Sequence, residues 1–309
     1  MEILKLLNAL PGACAQGLIW GIMAIGVYIT YKVLDLADLT VDGTMATGGA
    51  VCVMLMLQGH SAGFSLLIAT GAGMLAGLTT GILHTVMGIP AILAGILTQL
   101  GLYSVNLRIM GGRANQSIGV DQYELWVSLR WVKDVPFYKN PIFVVGIFVI
   151  LLIAVLYWFF GTELGCSIRA TGCNASMSRA QGINTDISKI LGLVLSNGIV
   201  AFSSGLFAQY QGFADVNAGR GAIVIGLAAV IIGQVVFGKI RGNFAFKLLS
   251  VVFGSIIYYL VLQVVLKMGL EPNDLKLLAA VVVAIFLAIP YLKGKYFAKP
   301  VKRGGASNA

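Results

Sequence analysis

Long apolar stretches occupy most of this chain and restrict the folds that are open to it. A helix needs about twenty predominantly apolar residues to cross the hydrocarbon core of a bilayer, and most of the stretches here are near that length. Hydrophobic residues make up 58% of the 309 residues and charged residues 11%, whereas soluble domains carry about 25% charged residues. Since a soluble core of this size cannot bury so much apolar surface, the remainder must face lipid. The sequence therefore predicts an all-α, polytopic helical membrane protein with about eight to ten transmembrane helices.

One early segment departs from the apolar pattern. Residues 35–49 carry polar side chains such as Asp38 and Asp42 among apolar ones, and we expect a broken or re-entrant piece there, followed by a span that ends near Leu57. The other predicted spans cover residues 14–33, 64–87, 90–110, 141–160, 188–210, 222–238, 244–266 and 276–292.

The net charge of +9 is concentrated partly in the C-terminal tail, residues 293–309. That tail carries basic residues and no acidic one, and the positive-inside rule places it in the cytoplasm. Contact with anionic lipid explains its charge without any nucleic-acid partner. Counting back from the tail puts residues 161–189 inside and residues 111–140 and 213–221 outside, and leaves the side of the N-terminus open. The tail's basic residues are Lys293, Lys295, Lys299, Lys302 and Arg303.

Glycines recur at four-residue spacing in two of the predicted spans. Gly73, Gly77 and Gly81 form one such series, and Gly17 and Gly21 form another. Small residues at this spacing let helix backbones approach closely inside a membrane. Because the sequence contains no soluble domain, linker or repeat, we interpret residues 1–309 as one transmembrane domain.

Enzymatic and metal chemistry find little support in the sequence. The four cysteines form no C-x-x-C pair and no cluster with histidine, so neither a metal site nor a cofactor is expected. Residues 233–239 match the beginning of a phosphate-binding loop, but Ile240 replaces the hydroxyl residue that would hold magnesium. No metalloprotease motif or nucleophile elbow is present, so no catalytic residue is predicted.

Polar side chains within the spans are candidates for a solute path. Ionisable residues inside a membrane usually mark such paths, and Asp42 is the main candidate, with Lys247 as another. Neutral polar residues can either line a path or bond one helix to another, and both interpretations stay open. Other polar side chains in the spans are Asn106, Ser203, Ser204, Gln234 and Gln263. The predicted path consists of Asp42, Thr44, Gln99, Asn197 and Gln209.

Residues 161–189 form a long loop that is rich in small residues. The pattern predicts a short helix from about Ser167 to Ala180, with a possible break at Gly172. A helix with a small-residue surface lets a partner protein come close, whereas a solvated connecting helix is the simpler interpretation.

The same loop carries a family resemblance. Leu164-Gly165, Arg169-Ala170, Asn174-Ala175 and Gly182-Ile183-Asn184 resemble the cytoplasmic signature of ATP-binding-cassette (ABC) importer permeases of the branched-chain amino acid and ribose type. Residues 201–212 and 38–49 are similar to two further stretches of these permeases, so the resemblance covers about residues 15–292. The form of residues 38–43 looks closest to a subgroup associated with tryptophan or tyrosine uptake.

The resemblance implies a function and a set of partners. Two permeases, expected to be a homodimer, would surround one path, with an ATPase subunit below each and an extracytoplasmic substrate-binding protein above, on loops such as 111–140 and 213–221. The small solute would be an amino acid, with an aromatic one favoured, crossing a bacterial cell membrane. Residues 161–189 would hold the coupling helix against the ATPase. Its contact residues would be Arg169, Ala170, Asn174, Ala175, Gly182 and Ile183.

Two other classes of function, a gradient-driven transporter or channel and a membrane enzyme, are alternatives to the importer permease. A gradient-driven secondary transporter or channel would need no partners, but such proteins usually place a relay of ionisable residues within their spans. A membrane enzyme would need a nucleophile or metal cluster, and the sequence offers neither.

Overall fold

The computed structural model describes residues 2–119, 123–129, 140–237 and 243–267, with isolated positions between 277 and 288. Helices dominate this part of the chain, and one short two-stranded ribbon joins two of the connections. A π-helical turn, Ile29–Val33, extends the first helix. The helices are α1 (Glu2–Tyr28), α2 (Thr40–Leu57), α3 (Ala62–Thr85), α4 (Ala91–Ile109), α5 (Pro141–Phe159), α6 (Glu163–Cys173), α7 (Ala175–Ala180), α8 (Thr185–Gln211), α9 (Ala222–Phe237) and α10 (Phe244–Lys267), and the strands are β1 (Asn115–Ser117) and β2 (Phe213–Asp215).

The predicted all-α, polytopic membrane fold is confirmed. Among the described residues, seven helices are long and apolar enough to cross a membrane, by length and composition, and α9 is a shorter apolar helix. Apart from α1 and α2, which begin earlier than predicted, their bounds follow the predicted spans to within a few residues. The predicted span at 276–292 and the basic tail at 293–309 lie outside the described ranges, apart from isolated positions.

The prediction of a broken or re-entrant piece at residues 35–49 is wrong for most of that range. Only Leu34–Leu39 lies outside helix, and α2 then runs unbroken from Thr40 to Leu57. The break is built locally, because Asp35 takes a left-handed backbone conformation (φ 56°) and the Asp38 carboxylate accepts a hydrogen bond from the Thr40 backbone N–H (2.9 Å). A side-chain acceptor at this position satisfies one of the free N–H groups at a helix start. The polar residues of the segment thus start α2 instead of preventing it.

The predicted glycine packing is confirmed at two helix pairs. A methyl group added at Gly73 or Gly77 would overlap the backbone of α8 at Asn197 or Leu193, respectively, and one at Gly81 would crowd Ile190. Gly17 and Gly21 play the same part between α1 and α10. Without side chains at these positions the backbones come into contact, which is a usual way to gain packing energy between helices in lipid.

Two opposite ends of the bundle can be recognised. At one end, β1 pairs antiparallel with β2, which joins the connections after α4 and α8. The start of α1 lies at the same end, since the Tyr210 hydroxyl donates to the Gly12 carbonyl (3.2 Å). At the other end, α6 and α7 connect α5 to α8. We call these the ribbon end and the α6–α7 end.

Two mostly exposed spans differ in the character of their surfaces. Of the seven candidate spans, α5 is the most apolar and α4 the least, and neither is buried over more than a minor part of its length. The exposed side chains of α5 include Ile147, Ile150 and Leu151, which suit contact with lipid tails. Exposed positions on α4 include Tyr103 and Ser104, so part of this surface suits a polar path or a partner better than lipid.

Candidate functional site

A cavity of about 400 Å³ opens between α2, α4 and the connection that follows β2. Pockets that bind small molecules typically have volumes of about 300–1,000 Å³. Charged and amide side chains belong to a lining that is otherwise mostly apolar, and we call it the α2–α4 cavity. It is lined by Asp42, Gly43, Ala46, Gln99, Leu100, Tyr103, Asn106, Val216 and Arg220.

Asp42 joins this cavity to the start of α9. Its carboxylate accepts backbone hydrogen bonds from Gly221 N–H (3.0 Å) and Ile223 N–H (2.9 Å). A carboxylate at a helix N-terminus satisfies free N–H groups and interacts favourably with the helix dipole. Because the α2 backbone at Asp42 also lies against Gly219, with no room for a Cβ there, the connection after β2 is held deep in the bundle.

Arg220 lies beside this cap and brings a positive charge to the cavity. Its side chain is exposed and lines the α2–α4 cavity. Within the described part of the chain, the one ion pair closer than 4.0 Å joins Arg179 to Asp186, so Arg220 and Asp42 are not paired with each other. The cavity therefore carries one carboxylate and one guanidinium group at separate places.

Asn106 contributes a buried amide to the same lining. Its side chain is fully buried, and neither its Oδ1 nor its Nδ2 atom has a hydrogen-bond partner within the described ranges. Buried polar atoms in native proteins nearly always have partners, so each exception needs an explanation. Both amide atoms are themselves buried, so the amide lies behind the cavity surface and is not open to a group that enters the cavity.

The five predicted path residues divide into two sets. Asp42 and Gln99 line the α2–α4 cavity. Thr44, Asn197 and Gln209 are buried and bonded inside the bundle instead. The Thr44 hydroxyl donates to Asn197 Oδ1 (2.7 Å), and Asn197 Nδ2 donates to the Asp38 carboxylate (2.7 Å). Whether any of the five touches a solute stays a prediction.

Gln209 ties residues 123–129 to the bundle. Its Oε1 atom accepts a hydrogen bond from the Trp126 backbone N–H (3.2 Å), and its Nε2 atom lies 3.6 Å from Cys52 Sγ. The Trp126 ring stacks on Phe148 of α5 with 5.5 Å between ring centroids. The side chain is thus occupied in holding residues 123–129 against the helices.

Sequence reasoning missed several of the cavity residues. Tyr103 had no polar signal within a predicted span, and Arg220 stood in a predicted outer loop. Asn106 was recognised as polar but was not included in the predicted path. The sequence could not show that the Asn197 amide is hydrogen-bonded to Asp38, whereas the Asn106 amide has no hydrogen-bond partner in the described ranges.

The predicted helix of the 161–189 loop is present as two helices. Its expected break at Gly172 is wrong, because the chain breaks at Asn174, between α6 and α7. The Asn174 side chain accepts a hydrogen bond from Met177 N–H (3.0 Å) and caps α7. Gly172 instead lies within α6, where its backbone meets the Val33 carbonyl so closely that a Cβ would overlap it. The end of α1 and α6 are therefore in direct backbone contact.

The six predicted coupling residues lie at or near the surface of the α6–α7 end. Arg169, Asn174 and Gly182 are exposed, and Ala170, Ala175 and Ile183 are half-buried. The Arg169 guanidinium lies over the Phe244 ring, 5.8 Å from its centroid. Gly182 has a left-handed backbone (φ 83°), which lets the chain turn from α7 into α8.

A cleft beside these residues exposes apolar side chains. Its volume is about 590 Å³, and it lies between α6 and the start of α8, where Leu164, Ala170, Ile183 and Ile187 contribute to its wall. Leu164 is 55% and Ile187 53% exposed. An exposed apolar cleft at the end of a membrane bundle suits contact with another protein.

The described residues contain no metal-ligand cluster, and the described part of the stretch that matches a phosphate-binding loop is helical. Nowhere in these ranges do three or more His, Cys, Asp or Glu side chains come close enough to hold a metal ion. Gly233 lies inside α9 and packs against the Ser250 backbone of α10. Residues 238–240 of the same motif lie outside the described ranges.

Comparisons with known proteins agree with these features. A family model described as branched-chain amino acid transport system / permease component matches residues 11–289. The chain is 38% identical over 282 residues to the tyrosine transport system permease protein of Clostridioides difficile (strain R20291), covering 91% of each chain. It is 30% identical over 276 residues to the galactofuranose transporter permease protein YtfT of Escherichia coli (strain K12), covering 87% of this chain and 75% of that one. It is 32% identical over 219 residues to the autoinducer 2 import system permease protein LsrC of Yersinia pestis (strain Pestoides F), covering 66% and 59%.

A solved structure has the same fold. The structure "PsaBC from Streptococcus pneumoniae in complex with Fab" matches with a TM-score of 0.53 and 17% sequence identity, covering 95% of this chain and 99% of that one. At this identity the likeness concerns the fold alone.

The apolar helices form a multi-pass membrane protein, and the α2–α4 cavity has a volume that suits a small solute. The chain belongs to the family of permease components of branched-chain amino acid transport systems, because the family model spans nearly all of it. It is therefore a transport permease subunit, and the resemblance noted in its sequence is confirmed.

Proposed function

We propose that this protein is the membrane subunit of an ABC importer in a bacterial plasma membrane, and that it passes an amino acid, preferably an aromatic one, into the cytoplasm. The observation that carries the proposal is the α6–α7 end, where an exposed apolar cleft adjoins a pair of short helices. Membership of the permease family supports it. The tyrosine permease of Clostridioides difficile supports the aromatic preference.

In this proposal an ATPase subunit binds at the α6–α7 end. Its surface would enter the cleft beside Ala170 and Ile183, while Arg169 and Ala175 would lie at the rim. Small side chains there permit close approach, and the apolar exposure of Leu164 and Ile187 gives the contact its hydrophobic energy. The α6–α7 end and the basic tail at 293–309 would then both be cytoplasmic, as the positive-inside rule favours for the tail.

A substrate-binding protein would dock at the opposite, ribbon end. The two outer loops predicted for this contact, 111–140 and 213–221, are joined there through the pairing of β1 with β2. That pairing supports a single docking surface that includes both loops. The α2–α4 cavity lies directly behind β2, since Val216 and Arg220 contribute to its lining.

A second copy of the permease would complete the path. Leu93, Leu97 and Leu100 lie on α4 at helical spacing and are 47%, 45% and 64% exposed. Leu100 also lines the α2–α4 cavity, so a second copy seated on this face would enclose the cavity. The remaining apolar surface, that of α5 above all, would contact membrane lipid. All of residues 1–309 would serve as one permease domain.

A gradient-driven secondary transporter is the second candidate. The observation that favours it is the Asp38 carboxylate, which is 3% exposed inside the bundle and has no cation within ion-pairing distance in the described part of the chain. Buried carboxylates in membrane proteins often take part in proton or ion coupling. The bonds that Asp38 accepts from Thr40 and Asn197 give it a structural role as well.

One experiment separates the two candidates. A tagged permease would be purified from its native membrane with its bound proteins, which would be identified, and solute uptake would be measured in vesicles with and without internal ATP. Recovery of an ATPase and a secreted or lipid-anchored binding protein, with uptake that requires ATP, is the expected result. Recovery of the permease alone, with uptake that persists without ATP and follows an ion gradient, would overturn the proposal in favour of the second candidate.

A further inference from the structure

Arg169 lies on the side of α6 that packs on the helix bundle. Gly165, Arg169 and Gly172 follow one another at spacings of four and three residues, so they share one side of this helix. A Cβ at Gly165 would overlap the backbone of Phe160, which follows α5. A Cβ at Gly172 would overlap the Val33 carbonyl at the end of the first span. Arg169, which does not belong to the lining of the cleft, therefore stands between two points of backbone contact.

The Arg169 guanidinium joins α6 to the first residue of α10. It lies over the Phe244 ring at 5.8 Å from the ring centroid, and an aromatic face attracts a cation within about 6 Å. In the described part of the chain no carboxylate lies within 4.0 Å of this guanidinium, so no ion pair there holds its charge. The Phe244 ring in turn packs on the rings of Phe160 (4.9 Å) and Tyr28 (6.3 Å). A cation–π contact thus fixes α6 to an aromatic cluster at the start of α10.

The helices α9 and α10 are packed as one unit that reaches the α2–α4 cavity. A Cβ at Gly233 of α9 would overlap the α10 backbone at Ser250, and one at Gly254 of α10 would overlap the α9 backbone at Ala229. Close-packed interiors transmit displacement, so a shift at the start of α10 moves both helices. The start of α9 is bonded to the Asp42 carboxylate, which lines the cavity.

We infer that Arg169 is a positioning residue for transport: it fastens α6 to the α9–α10 pair through Phe244, so that a movement of α6 reaches the wall of the α2–α4 cavity. This inference rests on the proposed function, because an ATPase bound in the cleft is the source of the movement. Without the contact, α6 can move while α9 and α10 stay in place, and ATP is hydrolysed without a change in the solute path. The contact between Gly172 and Val33 leads to α2 separately, so transmission weakens without being abolished.

Two other roles for Arg169 make different predictions. If the guanidinium paired with a carboxylate of the ATPase, its removal would weaken ATPase binding, and the Phe244 ring would have no part in the effect. If the contact served stability alone, its removal would lower the amount of folded permease and leave the uptake per hydrolysed ATP unchanged. A positioning role lowers the uptake per ATP and leaves ATPase binding intact.

The test compares solute uptake with ATP hydrolysis in the complete transporter. The full-length permease is reconstituted in vesicles with the ATPase and the binding protein that purify with it, and uptake of a radiolabelled mixture of L-amino acids is divided by the ATP hydrolysed. The affinity of the ATPase for the permease is measured separately. Hydrogen exchange of the amides at residues 244–248, measured in the permease alone, reports whether the start of α10 has been released from α6.

Variants of Arg169 and Phe244 each remove one half of the contact. Arg169→Gln and Phe244→Leu should each lower the uptake per ATP by roughly two- to fivefold, the factor that a cation–π contact at an exposed site is worth. The double variant should be no worse than either single one, because both remove the same contact. Arg169→Lys keeps a cation and Phe244→Tyr keeps a ring, so both should retain most of the uptake per ATP. If Arg169→Gln fails to accumulate, Arg169→Met carries the same expectation.

Two other positions on α6 supply the controls. Ala170 lines the cleft, so Ala170→Glu should weaken ATPase binding, in contrast to Arg169→Gln at the neighbouring position. Cys173 is exposed and does not belong to the cleft lining, so Cys173→Ser should change neither ATPase binding nor the uptake per ATP.

The outcomes separate this inference from the proposed function. Weaker ATPase binding in Arg169→Gln but not in Phe244→Leu overturns the inference in favour of a direct ATPase contact. Additive effects in the double variant, or an unchanged uptake per ATP in both folded single variants, overturn it as well and leave the ATP-dependent importer in place. Uptake by the wild-type transporter that does not require ATP overturns the proposed function, and the transport role of Arg169 with it, even where hydrogen exchange at residues 244–248 shows the contact.

Discussion

The side chain of Asn197, in the middle of α8, donates a hydrogen bond of 2.7 Å to the carboxylate of Asp38, in the break between α1 and α2. Asn197 also accepts one from Thr44 (2.7 Å), in α2. A single amide thus fixes the position of the break and of the helix that follows it. Both of its partners are buried, so neither can turn to water when the amide is removed.

Replacement of Asn197 by leucine should lower stability strongly. The change removes the hydrogen bond from Asn197 to the buried Asp38 carboxylate, and we expect a loss of about 3 kcal/mol in the free energy of unfolding. Thermal unfolding of the detergent-purified permease measures it. The control is Gln211→Leu, at an exposed position of the same helix, which should change stability little. Equal melting temperatures for the two variants would contradict the structural role of Asn197.

Gly77→Ala should destabilise the permease by about 2 kcal/mol, because the added methyl group overlaps the α8 backbone at Leu193. Gly71 offers a matched control on the same helix, since a Cβ there meets no atom within 4 Å. Gly71→Ala should be neutral or slightly stabilising, because alanine favours helix more than glycine does. The comparison of the two melting curves tests the α3–α8 contact, and similar effects of both substitutions would argue against it.

Asp42→Ala should weaken the start of α9 by about 1–2 kcal/mol, the usual cost of losing a helix cap. Asp42→Asn keeps one acceptor oxygen for the backbone N–H groups of Gly221 and Ile223 and should lose less. Hydrogen exchange of the amides at residues 221–225 measures the local effect without any solute. Equal protection of these amides in the alanine variant and the wild type would show that the cap does not stabilise α9.

Ala175→Glu should abolish ATP-dependent uptake while the permease still folds and inserts. Ala175 is half-buried and is the first residue of α7, where an acidic side chain is compatible with the helix dipole. The added bulk and charge would instead keep the ATPase away. Uptake in ATP-loaded vesicles measures the effect, and Ala175→Ser, which keeps a small neutral side chain, is the control. Wild-type uptake by the glutamate variant would refute the placement of α7 at the ATPase contact.

The spans and their close packing could be predicted from the sequence because apolar length and glycine spacing are local signals. Gly73, Gly77 and Gly81 predicted a helix contact without naming α8 as the partner. The start of α2 was missed because polar residues in an apolar stretch indicate either a break or a helix start. The hydrogen bond that the Thr40 N–H donates to the Asp38 carboxylate distinguishes them, and it is visible only in the structure.

The cavity could be predicted only in part, for a similar reason. Asp42 and Gln99 were found because polar residues are rare within spans, yet the same rule also selected Thr44 and Asn197, which bond to each other. Arg220 reaches the cavity because its loop folds back to the Asp42 cap. That return depends on contacts between residues far apart in the chain, and no local pattern records it.

The backbone contact between Gly172 and Val33 has a mechanical consequence. With no side chain between α6 and the end of the first span, there is no soft layer to absorb a small displacement of α6. From Val33 the chain passes through the short non-helical segment Leu34–Leu39 into α2, whose first turn carries Asp42 at the cavity wall. The surface of α6 and the wall of the α2–α4 cavity are therefore joined through one backbone contact and one short stretch of chain, and they stand mechanically in series.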